Sequence, residues 1–313
     1  MATHPAEWPL IGVSNAMTSV FAYADKVARS DATVLLTGES GTGKENLAHY
    51  IHAHSSRHTH PFISINCATL PESLFEGELF GYERGAFTGA DRAYRGKLAL
   101  AAGGTVFLDE VGELSSPAQA KLLRVLESHE VFRLGARAAE AIDVRVIAAT
   151  NHDLDESSQA QSFRRDLFYR LNVARMHVPP LRARREDIPA LISYYVTEMS
   201  RRTGAHLGRF APDTLDCLMR YAWPGNVREL RNMVEALFID PPDGQVAVAD
   251  LPPNLTRVLQ QSRAGDLSER EQIIAALFAT RWNKCRAAEH LRWSRMTLYR
   301  KLAKYGIRAD AHD

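Results

Sequence analysis

A chain of 313 residues, with 45% hydrophobic and 24% charged residues and a formal net charge of +1, has the composition of an ordinary water-soluble globular protein with room for two or three packed units. No apolar run is long enough to cross a bilayer and residues 1–8 lack the pattern of a secretory signal, so we expect a cytoplasmic protein without membrane contact. The widely spaced cysteines Cys67, Cys217 and Cys285 match no metal-binding pattern and are expected to be free thiols.

Short apolar segments, most of them rich in β-branched residues, alternate with helical patterns in the first part of the chain. They occupy residues 33–36, 62–65, 106–108, 144–149 and 173–178. Strands that alternate with helices predict an α/β fold with a parallel sheet covered by helices on both faces. Lys44, Asn66, Asp109 and Asn151 follow these segments, and doubly wound sheets bind ligands in a crevice at the carboxyl ends of their strands.

A glycine-rich stretch follows the first predicted strand and leads into a helical pattern. It comprises Gly38, Glu39, Ser40, Gly41, Thr42, Gly43 and Lys44. In such a loop the backbone N–H groups and the positive end of the helix surround the β- and γ-phosphates of a nucleotide, and the lysine adds a point charge. The generic motif continues with Ser or Thr, which binds Mg²⁺, whereas this chain has Glu45.

Two acidic residues, Asp109 and Glu110, end the third predicted strand. Hydrolysis of ATP needs one group that holds Mg²⁺ and another that polarises the attacking water. We therefore predict that Asp109 positions the metal, through water, and that Glu110 activates the nucleophile.

Between the phosphate-binding loop and the acidic pair lies a segment that is mostly small residues, with one aromatic residue among them. Its residues are Gly85, Ala86, Phe87, Thr88, Gly89 and Ala90. An aromatic residue flanked by small, flexible ones is typical of a contact surface, and nucleotide hydrolysis alone does not require it. The segment therefore suggests a part that transmits hydrolysis to a partner. The alternative is that Phe87 packs into the core of its own subunit.

The remainder of the chain has helical patterns. Residues 188–201, 211–221 and 227–239 predict a small helical lid, in which Pro212 opens the second helix and Asn226 caps the third. A proline-punctuated linker is predicted over 241–265, followed by a last helical unit.

That last unit is strongly basic. From Arg281 to Arg308 it has nine Lys and Arg residues against the single acid Glu289. Helical patterns with an apolar face (Ile273, Ile274, Leu277, Phe278) and with Ser294 as the cap of the final helix predict a helix-turn-helix. A basic surface on such a unit indicates nucleic-acid binding.

Together with Glu78-Leu79-Phe80-Gly81 just before it, the segment 85–90 resembles the signature of the bacterial AAA+ transcription activators that remodel sigma-54 RNA polymerase, and the resemblance runs from about residue 10 to residue 307. It implies an AAA+ P-loop core (8–178), a helical lid (179–240), a linker (241–265) and a Fis-type helix-turn-helix domain (266–308). Glu45 matches this family. Tyr82 replaces a common His, a change that we expect to leave the chemistry unaltered.

The resemblance also implies roles around the nucleotide. Asn66 would hold the catalytic Glu110 aside until the partner is engaged, although it could equally satisfy a turn. Asn151 would sense the γ-phosphate. Arg228 would reach the nucleotide from the lid, and Ile11-Gly12 would lie beside the adenine.

Two arginines align with the family's arginine fingers. Arg164 and Arg170 would reach the γ-phosphate of the neighbouring subunit, where a guanidinium stabilises transition-state charge. A homo- or hetero-hexameric ring is therefore implied. Structural ion pairs are the alternative for these residues, and we expect Arg165 to form one.

In the tail, the final helix would enter the major groove of enhancer DNA. The expected DNA contacts are Ser294, Arg295, Thr297, Arg300 and Lys301. Arg292-Trp293 replaces the usual Gly-Ile in the turn, so Arg292 must adopt a backbone conformation normally left to glycine, or the turn differs.

The histidines at 49, 52, 54, 58 and 60 crowd one stretch, but they lack the carboxylate or cysteine pattern of a metal site, and we assign none. The sequence as given begins at the AAA+ module. Control is expected from a separate regulatory protein in trans, from expression level or from a partner subunit, unless the sequence is truncated.

The predicted function is ATP-dependent activation of transcription, with the sigma-54 RNA polymerase holoenzyme and enhancer DNA as partners and ATP and Mg²⁺ as cofactors. An AAA+ replication initiator or helicase loader, the first alternative, has no use for the segment 85–90, and a loader would fail in a sigma-54 transcription assay. The second alternative is a repressor whose ATPase module has no function. This alternative would be rejected if Lys44→Ala or Glu110→Gln abolished ATP turnover.

Overall fold

The computed structural model describes residues 9–69, 71–160, 162–266, 269–280 and 282–307. Trp8, at the start of the predicted core, and Arg281 and Arg308, two of the basic residues counted above, lie outside the described residues. Within the described ranges, no helix is both long and apolar enough to cross a membrane. The described chain forms two compact units, one of residues up to Leu207 with Met219–Pro241, the other of Gly208–Leu218 with residues from Pro242 onward.

Helices and strands alternate along the first unit. In chain order the elements are α1 (Asn15–Ala28), β1 (Val34–Thr37), α2 (Lys44–Ala53), β2 (Phe62–Asn66), α3 (Glu72–Phe80), α4 (Lys97–Leu100), β3 (Thr105–Asp109), α5 (Ser116–Ser128), β4 (Glu130–Val131), β5 (Glu140–Ala141), β6 (Arg145–Thr150), α6 (Leu154–Gln159), α7 (Arg165–Leu171), β7 (Ala174–His177) and α8 (Ile188–Thr203). Then follow α9 (Pro212–Arg220), α10 (Asn226–Leu237), α11 (Pro253–Asp266), α12 (Glu269–Ala279), α13 (Lys284–His290) and α14 (Arg295–Lys304).

The predicted parallel sheet is confirmed. Its strand order is β2-β3-β6-β1-β7, and all neighbouring pairs run parallel. The strands β4 and β5 form a separate antiparallel hairpin. Because all strands of the main sheet point the same way, the ends of β1, β2, β3 and β6 lie at one edge, where the predicted site residues gather.

Successive residues of each buried strand contribute to two different cores. Leu35, Val106 and Ala148 belong to the cluster that packs against α3, α5 and α7, whereas Leu36 and Phe107 belong to the cluster that packs against α1 and α2. Side chains alternate between the faces of a strand, and helices cover both faces of this sheet. The strands are therefore continuous apolar runs and not alternating ones.

The predicted lid helices are present as α8, α9 and α10, and α9 begins at Pro212 as expected. The predicted N-cap is wrong. Gly225 occupies the N-cap position of α10 and Asn226 is its first residue, with φ +50°. The side chain of Asn226 bonds to segments distant in the sequence, and the N–H of Gly225 donates to Glu229 Oε2 at 2.8 Å.

In the second unit, much of the predicted linker is helical. The helix α11 occupies Pro253–Asp266 because Pro253 is tolerated in a first turn and Leu255 and Leu259, one turn apart, are buried. The predicted apolar face of α12 holds for Ile273 and Leu277, but Phe278 is 66% exposed and contacts the Trp282 ring edge-on.

Two local predictions for the helix-turn-helix are confirmed. Ser294 caps α14, its Oγ accepting a hydrogen bond from the N–H of Thr297 at 3.1 Å. Arg292 adopts a left-handed conformation with φ +54°.

Candidate nucleotide site

The phosphate-binding loop connects β1 to α2 through backbone that only glycine adopts easily. Gly38, Gly41 and Gly43 have φ values of +147°, +77° and +103°. A Cβ on Gly41 would lie 2.4 Å from the carbonyl oxygen of Gly225, so the close approach of the lid requires glycine there. Lys44 is 6% exposed and its Nζ donates to the carbonyl oxygens of Gly38 at 2.8 Å and Glu39 at 3.2 Å. Burial lowers the pKa of Lys44.

The acidic pair lies at the carboxyl end of β3, on the same edge of the sheet. Asp109 Oδ1 accepts a hydrogen bond from the N–H of Glu110 at 3.1 Å. Glu110 has φ +54° and ψ +49°, an uncommon conformation for a residue with a side chain and one that clusters at functional sites. Its Oε2 accepts a hydrogen bond from the N–H of Asn151 at 3.2 Å, so the end of β6 orients this carboxylate.

Asn66 contacts the other acid. Its Nδ2 donates to Asp109 Oδ2 at 3.4 Å, and its Oδ1 accepts from the N–H of Ala68 at 2.8 Å. The bond to Ala68 is the turn contact given above as the alternative role of Asn66, and the expected hold on Glu110 stays a prediction. β2 and β3 are in register with Asn66 opposite Asp109, which brings these two side chains together.

The phosphate-binding loop, the acidic pair and the start of α10 line one polar cleft, and residues that sequence reasoning missed, among them Tyr195 and Arg231, share it. The lining includes Ser40, Gly41, Gly43, Lys44, Glu45, Asp109, Glu110, Arg228, Tyr195 and Arg231. The sequence could have indicated Arg231 as a cleft residue, because it lies three residues after Arg228 on the same helix and residues at this spacing share a helix face.

An apolar cavity adjoins the polar cleft. Ile11, Leu47, Val178 and Leu191 are among its lining residues, and Gly43, Asn46, Tyr195 and Val227 line both spaces. Gly12 follows Ile11, and a Cβ there would lie 2.8 Å from Met17 Cβ. The pair of spaces offers apolar walls for a base next to charged groups for phosphates.

The start of α10 is tied to the phosphate-binding loop. Asn226 is fully buried, and its Nδ2 donates to the Ser40 carbonyl at 3.0 Å and to Glu39 Oε2 at 3.2 Å, while its Oδ1 accepts from the N–H of Leu181 at 2.8 Å. Arg228 Nη1 donates to Ser40 Oγ at 3.0 Å. The lid helix thus contacts the loop directly.

Glu39 also pairs with an arginine that the sequence did not single out. Arg182 Nη1 donates to Glu39 Oε2 at 2.8 Å, and Nη2 bonds to the other oxygen. This bond is the largest cause that holds the pKa of Glu39 at about 2, and the amide of Asn226 adds to it. The carboxylate therefore stays ionised across the physiological range.

Sequence reasoning also missed the pair of Asp187 and Arg184, of which Arg184 lines the apolar cavity. Asp187 is fully buried and accepts hydrogen bonds from the N–H groups of Val13 at 2.6 Å and Ser14 at 2.7 Å. Arg184, also buried, lies 3.9 Å from Asp187 and donates to the Thr42 carbonyl at 2.7 Å. These contacts link residues beside Ile11-Gly12 to the phosphate-binding loop. No periodic pattern marked either residue in the sequence.

The two expected arginine fingers lie at either end of α7 and face solvent. Arg164 forms a two-pronged ion pair with Asp166, at 3.1 and 2.8 Å, and Arg170 Nε lies 3.3 Å from Glu127 Oε1. The ion pair expected of Arg165 is wrong as far as the described residues show, since Arg165 has no partner of opposite charge among them.

The segment 85–90 is a closed loop in which Gly85, Phe87, Thr88 and Gly89 are exposed, Ala86 is half-buried and Ala90 is buried. The N–H of Gly85 donates to the Ala90 carbonyl at 2.9 Å and that of Ala90 to the Phe87 carbonyl at 3.0 Å. Phe87 is 40% exposed, and its ring meets Tyr82 edge-on with centroids 4.9 Å apart. The alternative of a core-buried Phe87 is thereby contradicted.

The expected DNA contacts are the N-cap residue of α14, Ser294, and four residues within that helix. Ser294, Arg295 and Arg300 are exposed, and Thr297 and Lys301 are half-buried. Lys301 Nζ lies 5.1 Å from the centre of the Trp293 ring, a cation–π distance.

Several of the crowded histidines have structural roles. His52 is buried and its Nδ1 lies 2.9 Å from Thr105 Oγ1, and burial lowers the pKa of both His49 and His52 to about 4. In the described part of the chain, no group of three or more His, Cys, Asp or Glu side chains is placed to hold a metal ion.

Comparison with known proteins matches three family models along the chain. A model of the Sigma-54 interaction domain matches residues 10–177, one of the AAA+ ATPase lid domain matches residues 182–267, and one of the Fis family of bacterial regulatory proteins matches residues 266–305. The transcriptional regulatory protein ZraR of Klebsiella oxytoca is 45% identical over 310 residues, which cover 96% of this chain and 70% of ZraR. The chain belongs to the sigma-54-dependent transcriptional activators.

Other members of this family are similar along most of the chain. The transcriptional regulator NtrC of Escherichia coli K12 is 41% identical over 329 residues, covering 95% of this chain and 70% of NtrC. The structure of NtrX from Brucella abortus in complex with ATP has a TM-score of 0.76 at 35% identity, covering 97% of this chain and 71% of NtrX. Hsp104 of Saccharomyces cerevisiae, at 17% identity and a TM-score of 0.54, shares the fold alone. The chain is thus a sigma-54-dependent activator with an AAA+ P-loop module and a DNA-binding helix-turn-helix.

Proposed function

We propose that this activator hydrolyses ATP and uses the energy to convert the closed complex of the sigma-54 RNA polymerase holoenzyme into an open complex, while its helix-turn-helix holds enhancer DNA. The observation that carries the proposal is the exposed loop 85–90, inserted between the phosphate-binding loop and the strand that ends in Asp109 and Glu110.

The nucleotide chemistry is assigned to groups that share one cleft. The backbone of residues 38–43 and the cation of Lys44 bind the phosphates, and the apolar cavity beside Ile11 receives the base. Glu110, held by the N–H of Asn151, orients the attacking water. NtrX, a relative, has been solved in complex with ATP and with ADP, which supports nucleotide binding by this chain.

The donor set at the strand end fits Mg²⁺. Asp109 offers carboxylate oxygens beside Asn66 in the cleft, and hard divalent cations prefer oxygen ligands. When bound, the metal would neutralise developing phosphate charge. Asp109 would hold it through water.

Arg164 and Arg170 act on the nucleotide of a neighbouring subunit, in a hexameric ring. Their exposure on α7 supports this role, and it requires Arg164 to exchange Asp166 for a phosphate. A charge-assisted bond to phosphate is stronger than an exposed ion pair, so the exchange is favourable once a neighbour is present.

The ATP-bound state presents Phe87 and Thr88 to the sigma subunit, and hydrolysis withdraws them. Such a switch requires that each nucleotide state have a different affinity for the partner. Exposed side chains of α14 (Arg295, Arg300) read or clamp the enhancer.

The decisive test is transcription with purified components at a sigma-54 promoter. Thr88→Ala is expected to keep ATP turnover within about twofold of wild type and to abolish open-complex formation, because the change removes a contact residue outside the nucleotide site. Thr59→Ala, at an exposed threonine elsewhere, is the matched control and should support normal transcription. Full open-complex formation by Thr88→Ala would refute the assigned role of the loop, and undiminished ATP turnover by Lys44→Ala would refute the assigned ATP site.

A further inference from the structure

The polar cleft contains an arginine to which no role has been given so far. Arg231 lies one turn beyond Arg228 on α10, and Val227, Arg228 and Arg231 all line the cleft because residues three and four apart share a helix face. The side chain of Arg231 is 49% exposed. It is therefore open to a ligand in the cleft.

The hydrogen-bonding state of Arg231 leaves donors available. Its Nε donates to Glu235 Oε1 at 2.9 Å, an i, i+4 ion pair that fixes the direction of the side chain. A guanidinium has five N–H donors. Among the described residues, none accepts a hydrogen bond from Nη1 or Nη2, so four donors face the cleft or solvent.

The position of Arg231 along the cleft is given by Tyr195. Tyr195 lines both the apolar cavity and the polar cleft, which places it at the junction between base and phosphates. The positive charge of Arg231 acts on the Tyr195 hydroxyl and opposes the burial that raises the pKa of Tyr195 to about 12. Arg231 and Tyr195 line the same polar cleft, so Arg231 shares the cleft with the junction residue, whereas Arg228 bonds to Ser40 in the phosphate-binding loop.

A nucleotide that extends from the apolar cavity into the cleft has its α-phosphate at this junction. We infer that Arg231 binds the α-phosphate of the nucleotide through Nη1 and Nη2, as a second lid cation distinct from Arg228. The inference rests on the proposed ATP site. Such a contact should strengthen the binding of ADP and of ATP alike, because both carry the α-phosphate. It should not affect the rate of hydrolysis, because the bond that is broken lies at the γ-phosphate.

The test measures ADP and ATP affinities of the full chain by calorimetry, together with kcat at saturating ATP. Arg231→Gln is expected to raise Kd for ADP and for ATP by the same factor, about tenfold, which corresponds to about 1.4 kcal/mol. The value of kcat should stay within about twofold of wild type, and Arg231→Lys should recover part of the affinity. The control is Arg202→Gln, at an exposed arginine of α8, which should bind both nucleotides normally.

The outcomes separate this inference from the proposed function. If wild type binds ADP and Arg231→Gln binds it equally well, or if only ATP affinity falls, the α-phosphate contact is wrong. A parallel loss of adenosine affinity would also overturn it, since that would indicate a collapsed site. If wild type binds neither nucleotide, the proposed ATP site itself fails. Should Arg231→Gln not fold, Arg231→Lys decides the matter, because it keeps the cation but loses the paired Nη1 and Nη2 donors, and unchanged affinity for both nucleotides in this variant would overturn the contact.

Discussion

The buried side chain of Asn226 holds three segments of the nucleotide cleft together. Its amide bonds to Glu39 and Ser40 of the phosphate-binding loop and to the N–H of Leu181. A cap would contact only its own helix. At this position a short polar side chain and a left-handed backbone are both needed, and Asn tolerates that backbone better than most residues.

Asn226→Ala is expected to lower the free energy of unfolding by about 2–3 kcal/mol, because it leaves the buried N–H of Leu181 without a partner. Urea unfolding followed by circular dichroism measures the loss. Asn232→Ala, at an exposed position of the same helix, should change the stability by no more than about 0.5 kcal/mol. Equal effects of the two substitutions would contradict the bridging role of Asn226.

The loop 85–90 depends on an element that precedes it. Tyr82 pairs with Tyr94 through two backbone hydrogen bonds of 2.9 and 2.8 Å, and its ring meets Phe87. Arg133, next to the β4–β5 hairpin, bonds to both Glu83 and Glu140. The base of the loop is therefore anchored, while its tip stays exposed.

We expect Tyr82→Ala to reduce open-complex formation several-fold while ATP turnover persists. Aromatic pairs contribute about 0.5–1.5 kcal/mol, and their loss frees Phe87 from its orientation. Tyr82→Phe keeps the ring and should behave like wild type. The same transcription assay tests both, and normal activity of Tyr82→Ala would show that the ring contact does not position the loop.

At the scale of the whole molecule, two histidines couple folding to pH. The pKa of His49 and of His52 is about 4 in the folded chain, against an ordinary value of 6.5, because burial disfavours the charged form. Between pH 6.5 and pH 4 the unfolded chain binds protons that the folded chain does not. Stability is therefore full above pH 6.5 and falls as the pH drops through this window.

Urea unfolding at pH 7.5 and pH 5 should show a loss of about 1–2 kcal/mol from His52. His52→Gln can still bond to Thr105 and should reduce the difference between the two pH values. His206→Gln, at an exposed site, should not change it. An unchanged pH difference in His52→Gln would exclude His52 as a source of the acid sensitivity.

The features that could be predicted before the structure are those whose cause is local in the chain. The glycines of the phosphate-binding loop stand directly before a helix, and Asp109 and Glu110 stand at the end of a buried strand. The strands themselves are short apolar runs. Each of these patterns is complete within a few neighbouring residues. The cap at Ser294 and the strained Arg292 also depend on neighbours a few residues away. Fold class and strand positions were predictable for this reason, and so was the placement of Lys44, Asp109 and Glu110 in one cleft.

Which groups distant in the chain meet depends on the packing of whole elements. It paired Asn66 with Asp109, Arg182 with Glu39 and Asp187 with the N–H groups of residues 13 and 14, and it brought Arg231 into the cleft. It also made a helix of residues that read as a linker, because Leu255 and Leu259 find a place to be buried. A residue type fixes what a side chain can bond to, but the packing of elements far apart in the chain selects the partner.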